Sequence, residues 1–246
     1  MGQQLFINST DAEVRAALMD DGALIDLIIE RRERASLVGN IYLGRVERLM
    51  KGMEAAFVNI GLSRSGFLGL DDGRRHTGDP ATPVNEGETV MVQITKDAID
   101  GKGVQLSRRV TLPGRYLVYA PNHDRVMVSR QIADEGERDR LTGLMVDIAV
   151  EGEGFILRTA AVGATADELQ SDSEQLRETW LSIEQMQSTG KAPSCVHADL
   201  DPVLRVLRDY ALDDIAAVHV DDGDAAEAAK KFCEKVMPGL AERVKL

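Results

Sequence analysis

Apolar and polar residues alternate from the first ten positions. LFINST comes first, and EVRAALMD and ALIDLIIE then flank a turn at Asp20-Asp21-Gly22. Period-two runs broken by Asp-Gly predict a β-hairpin. Five more short runs lie between residues 39 and 110: NIYLGRVERLM, MEAAFVNIGL, SGFLGL, ETVMVQITKD and GVQLSRRV. Gly, Ser and Asp turns separate them, and one long loop (71–87), rich in Asp, Gly, Pro and Thr, follows the third. Five strands in about 70 residues, with the long loop at that place, predict a small Greek-key barrel of the OB type.

The texture changes from residue 113. YLVYAP and VMVSRQI predict strands, and residues 134–148 predict an amphipathic helix with Leu141, Leu144, Met145 and Ile148 on its apolar face. GFILRTAA is a further strand. A long helix is predicted over 165–189, opened by Thr165 with Asp167 and Glu168 in its first turn. Asp201-Pro202 starts a helix through Leu212; the strand AAVHVD, a helix over Ala225–Val236 and the alternation ERVKL close the chain. The first 35 or so residues are strands with too little around them to bury a core. The last 45 or so have helices and strands but few strand partners. Both shortages end if the two termini pack together as one discontinuous α/β domain, with the barrel and the middle segment inserted.

Composition changes this picture little. Apolar residues make up 43% of the 246 positions and charged residues 28%, enough for real cores on a well-solvated chain. No apolar run approaches the roughly 20 residues that span a bilayer, and the N-terminus has no basic-then-apolar signal, so a cytoplasmic location is expected. Cys195 and Cys233 lie far apart without a CxxC and read as two buried thiols in a reducing compartment. The net charge of −12 argues against a polyanionic partner until its layout is considered. Between Arg31 and Arg130 there are 16 Lys and Arg against 11 Asp and Glu, a local balance of +5 on an acidic chain. Arginines that merely solvate strands would give the same count.

Candidate chemistry is sparse. Phe57 and Phe67, two of only five phenylalanines, fall in neighbouring strands of the predicted barrel, with Arg64 in the turn between them and Lys96 and Lys102 flanking the final hairpin. Rings for base stacking beside cations are what a single-strand-binding OB surface needs, whereas an isolated strand Phe is ordinarily core. Arg158 and Thr159 end the strand of GFILRTAA, where a guanidinium fork and a hydroxyl suit a terminal phosphate, and Arg130 at the end of VMVSR could converge on them. Taken alone, an Arg-Thr pair is as well read as exposed surface. The histidines His76, His123, His197 and His219 have no ligand spacing. Asp221, Asp222 and Asp224 could hold Mg²⁺, but Asp-Asp-Gly-Asp before a helix reads better as a turn and N-cap. No nucleophile–base arrangement or metalloprotease or phosphate-loop motif is present. No catalytic residue and no metal ligand is therefore assigned.

Taken together and in order, INST…VRAAL…DL.IE…GNIYLGRV.R…EAAFVNIG..R.GFL.L, PG.YLVY.P…SR, GFILRTAAVGA and RDY resemble the ribonuclease E/G family over nearly the whole chain. The resemblance implies a mixed α/β and β fold. A discontinuous RNase H-like α/β subdomain (1–36 and 204–246) holds an inserted five-stranded OB-fold barrel of S1 type (37–110) and an α/β 5′-sensor subdomain (111–203). It implies RNA contacts at Phe57, Phe67 and Lys102, to which the cation pattern adds Arg64 and Lys96. It further implies a 5′-monophosphate grip at Arg158 and Thr159, with Arg130, Gly114 and Val118 in the same pocket. The implied function is binding of single-stranded RNA and sensing of its 5′-monophosphate, as the N-terminal part of an Mg²⁺-dependent endoribonuclease. The family's Mg²⁺ carboxylates belong to a DNase I-like domain that would begin where this chain stops, so the fragment itself is expected to be inactive. Its CPxCxG zinc-link is also missing, so the family's tetramer has no support here and a homo-oligomer is left open for the whole enzyme. An end on a strand rather than a polar tail suggests a longer protein; the alternative is a stand-alone RNA-binding or scaffold protein that never cuts.

Overall fold

The computed structural model describes residues 2–70, 84–99, 101–121, 123–211 and 215–246. Most of the predicted 71–87 loop, with His76, and the predicted helix end at Leu212 lie outside them. The chain divides into two compact units, one made of residues 1–36 and 200–246 and the other of 37–199.

The discontinuous unit opens on three antiparallel strands, β1 (Gln4–Ser9), β2 (Glu13–Asp20) and β3 (Ala23–Arg31). The turn between β2 and β3 uses the left-handed region at both Asp21 and Gly22, as a two-residue hairpin requires. The second unit begins with the barrel strands β4 (Ile41–Met50), β5 (Ala55–Asn59), β6 (Gly66–Gly69), β7 (Thr89–Lys96) and β8 (Gln105–Ser107). They pair in the order β4-β5-β6-β8-β7, and a β4–β7 pairing closes the ring. The result is a closed, OB-like five-stranded barrel, filled by Val46, Ala56, Val58, Leu68, Val92, Ile94 and Leu106. The last strand is shorter than the GVQLSRRV pattern suggests.

Beyond the barrel come β9 (Leu112–Pro113), β10 (Leu117–Pro121), β11 (Val126–Val128), the helix α1 (Glu135–Ile148), β12 (Glu153–Leu157), the helix α2 (Ala166–Thr189) and β13 (Ser194–His197). Four of these strands form a sheet ordered β11-β12-β10-β9. Leu117, Tyr119, Phe155 and Leu157 on its inner face pack against Leu141 and Met145 of α1 and Leu169 and Leu176 of α2. Ile41 and Leu43, facing out of the barrel, join this same core. β13, which period-two reading misses, adds antiparallel to the start of β4. Thr165 caps α2 in the reciprocal arrangement with Glu168, which typically contributes about 1 kcal/mol.

The chain then returns to the first unit with α3 (Pro202–Tyr210), β14 (Ala217–Val220), α4 (Gly223–Val236), the short α5 (Pro238–Ala241) and β15 (Val244–Lys245). β14 runs parallel to β1, giving the sheet order β15-β14-β1-β2-β3. Leu5, Ile7, Val14 and Ala16 of the sheet share a core with Val203, Val206, Leu207, Ala229 and Cys233 of the helices. The strands at both ends of the sequence thus supply each other's partners. Among the described residues no helix is long and apolar enough to cross a membrane.

Candidate nucleic-acid interface

Alternation on β5 and β6 sends Ala56, Val58 and Leu68 into the barrel and leaves Phe57 and Phe67 half-buried on its outside. The two phenylalanines face each other across the strands, their rings edge to face with centroids 6.1 Å apart. Strand pairing extends this into a single row: Arg48 on β4, Phe57, Phe67, Gln105 on β8 and Lys96 on β7. An exposed cation stands at each end of the row. Arg48 joins it only because a bulge between Val46 and Arg48 shifts the register, which period-two reading of the sequence does not reveal.

The rings line a groove of ≈ 800 Å³ together with Arg48, Met53, Arg64, Lys102 and Gln105. Gly103 makes this possible. A Cβ there would fall 2.1 Å from the Ser65 carbonyl oxygen, so only glycine lets the turn carrying Lys102 approach the β6 entry. Arg64 is exposed, and its guanidinium donates to the Gly101 carbonyl, tying the two turns together. Among the described residues one acid lines the groove: Glu47 accepts from Asn59 Nδ2 at 3.0 Å and Ser65 Oγ at 2.5 Å. Lys96 ends the row without lining the groove.

The second cluster lies on the four-stranded sheet. β11 and β12 are parallel, with Val128 opposite Leu157, so Arg130 and the Arg158–Thr159 pair leave the sheet at the same edge. Arg130 and Thr159 are exposed, and Arg158 is half-buried. Arg158 Nη1 donates to the Gly114 carbonyl at 2.6 Å, and the Arg158 N–H donates to the Tyr116 carbonyl at 2.8 Å. Val118 sits on β10 between Ile156 and Pro113, on the face away from α1 and α2. Contacts therefore join Arg158 to Gly114, and strand direction alone brings Arg130 to that edge.

The far side of the Arg158–Thr159 loop is also clamped. Arg140 pairs with Glu137 through two 2.7 Å hydrogen bonds and donates to the Ala164 carbonyl, while Glu137 accepts the Gly163 N–H at 2.8 Å. The hydrogen bonds from Arg140 and from Gly163 hold the Glu137 carboxyl down to about 2. A carboxyl depressed in the folded state contributes stability above its unfolded value, and that stability fades as pH falls through the folded value. An NMR carboxyl titration is expected to find Glu137 ionised to about 2, and Glu137→Gln to flatten the fall in melting temperature below about pH 4.5. An ordinary midpoint in the unmutated protein would contradict the clamp.

The acidic run near the C-terminus resolves into structural roles. Asp222 caps α4 by accepting the Ala225 N–H, and Asp221 accepts from the Asn8 amide and the Ser9 N–H. Among the described residues no three His, Cys, Asp or Glu side chains gather as a metal site. Neither cysteine is in a disulfide, and only Cys233 is buried; Cys195 is exposed because β13 lies at a sheet edge, which corrects the expectation of two buried thiols.

The second unit thus presents an OB-like barrel with rings and cations on its outside, the kind of surface that single-strand-binding OB-folds use. Residues 111–246 match the model of the ribonuclease E/G family. Over 99% of its length the chain is 36% identical to ribonuclease G of Escherichia coli, covering 53% of that protein. It is 36% identical to ribonuclease E of Haemophilus influenzae and 33% identical to ribonuclease E of Escherichia coli, covering 27% and 24% of those proteins. The chain belongs to the ribonuclease E/G family, and it spans about half the length of the ribonuclease G relatives it matches.

Proposed function

We propose that this chain binds single-stranded RNA on the barrel and grips a 5′-terminal monophosphate at Arg158, as the RNA-binding portion of an endoribonuclease. The observation that carries the reading is the row Arg48–Phe57–Phe67–Gln105–Lys96, with Lys102 and Arg64 beside it. Half-exposed rings offer stacking surface to any base, and the flanking cations follow a phosphate backbone. Arg158, Thr159 and Arg130 supply a fork, a hydroxyl and a second charge at one sheet edge, the donor set of a phosphate monoester. In this reading Gly114, whose carbonyl holds Arg158, and Val118 on β10 line the same pocket. Cleavage with Mg²⁺ would be carried by carboxylates outside these 246 residues.

Fluorescence titration of the 246-residue chain with a labelled single-stranded oligoribonucleotide tests this reading. About three to four phosphate contacts on single-stranded RNA should weaken binding by roughly 20- to 50-fold between 50 and 200 mM salt. Affinity indifferent to salt, or no binding at low salt, would reject the barrel as an RNA surface.

A further inference from the structure

A buried carboxylate lies directly behind the Arg158 cluster. Asp172 projects from α2 on the face that also buries Leu169, Ser173 and Leu176. Its oxygens accept three consecutive backbone N–H groups, those of Arg115 at 3.1 Å, Tyr116 at 2.8 Å and Leu117 at 2.9 Å. Successive N–H groups converge in this way only where the backbone curls into a concave nest, a shape that binds anions. Here the anion is the protein's own. Without it the turn would bury donors at a cost of about 1–3 kcal/mol for each one left unsatisfied.

The next residue along the turn shows how closely the two are fitted. A Cβ on Gly114 would lie 2.5 Å from one Asp172 oxygen and 2.7 Å from the other, so glycine is required for the carboxylate to sit where it does. Gly114 and Tyr116 in turn present the carbonyls that hold the Arg158 guanidinium and backbone N–H. The contacts form one path: helix carboxylate, curled turn, guanidinium.

We propose that Asp172 is the positioning residue of the terminal-phosphate site, holding the 114–117 turn in the shape that aims Arg158. The inference rests on the reading of Arg158 as the phosphate grip and adds what sets its orientation. It separates two jobs for negative charge in this region. The Asp172 carboxylate is sealed in the nest and organises it, while the phosphate is met at the sheet edge by Arg158 and its neighbours. Asn in its place keeps the volume and one acceptor oxygen but turns an NH₂ toward at least one nest donor, so the turn opens and the fork loses its aim.

The test compares the unmutated chain, Arg158→Ala, Asp172→Asn and Gly114→Ala on two oligoribonucleotides identical except for a 5′-monophosphate or a 5′-hydroxyl. The hydroxyl RNA reads the barrel and the ratio of affinities reads the phosphate site. Asp172→Asn is expected to cut the ratio by roughly tenfold, the scale of one hydrogen bond to a charged group, with hydroxyl-RNA affinity retained, and Gly114→Ala to cut the same ratio. A ratio of one in the unmutated chain removes the phosphate-grip reading itself. A ratio lost in Arg158→Ala but kept in Asp172→Asn leaves that reading standing and overturns the positioning role. Equal loss of affinity for both RNAs in Asp172→Asn would show a merely structural residue and also overturn it. If Asp172→Asn does not fold, Gly114→Ala, which keeps the carboxyl group but crowds it out of its seat in the nest, decides: a retained ratio overturns the proposal.

Discussion

Phe57→Ala and Phe67→Ala are each expected to weaken binding of single-stranded RNA by roughly 5- to 150-fold, the range set by about 1–3 kcal/mol of stacking per base. Their combination should fall short of the sum. The rings meet edge to face at 6.1 Å, so removing either changes the surface the other offers, and neighbours in contact are not additive. The fold should tolerate these changes. Both rings lie on the outside of the barrel and neither belongs to the apolar set that fills it, so the cross-strand pair accounts for only about 0.2–1 kcal/mol of stability. Titration with a fluorescent oligoribonucleotide at fixed salt, beside thermal melting, separates the two effects. Unchanged affinity in both single variants would move the RNA surface elsewhere. Arg48→Ala should act differently from the rings, by lowering the salt slope by about 0.7 through loss of one phosphate contact.

Much of this architecture is legible in the sequence because it is local. The β2–β3 hairpin follows from Asp21-Gly22, which supply the left-handed residues the turn needs, and the start of α2 follows from Thr165 and Glu168 at capping spacing. The split α/β unit could be inferred from a shortage of partners at both ends, and β1 indeed pairs with β14. What stays hidden depends on register or on distant contacts. Arg48 reaches the row of rings through a bulge, and no count along β4 predicts a bulge. β13 is four residues whose pairing partner lies some 150 positions earlier. Asp172 sits in the polar stretch QSDSEQ and reads as one more solvated helix acid, yet 56 residues separate it from the Tyr116 N–H it accepts. Glu47 reads as a surface acid, and only the fold puts it inside the groove.

Arg158→Ala should abolish any preference for a 5′-monophosphate over a 5′-hydroxyl, a loss of roughly 10- to 150-fold if the fork contributes about 1.5–3 kcal/mol as a charge-assisted donor. The reasoning rests on what else could hold the phosphate. Thr159 offers one hydroxyl and Arg130 stands exposed at the same edge, but Arg158 alone is fixed, its guanidinium on the Gly114 carbonyl and its N–H on that of Tyr116. A fixed fork loses little entropy on meeting its ligand, whereas an exposed side chain must be immobilised at a cost of about 0.5–1.5 kcal/mol. Arg158→Lys sharpens the point. Lysine keeps the charge but cannot span two oxygens and the Gly114 carbonyl at once, so most of the preference should vanish although net charge is unchanged. If Arg158→Lys binds the monophosphate as well as the unmutated chain, recognition is a matter of charge alone. The turn that holds the guanidinium would then contribute nothing to selectivity.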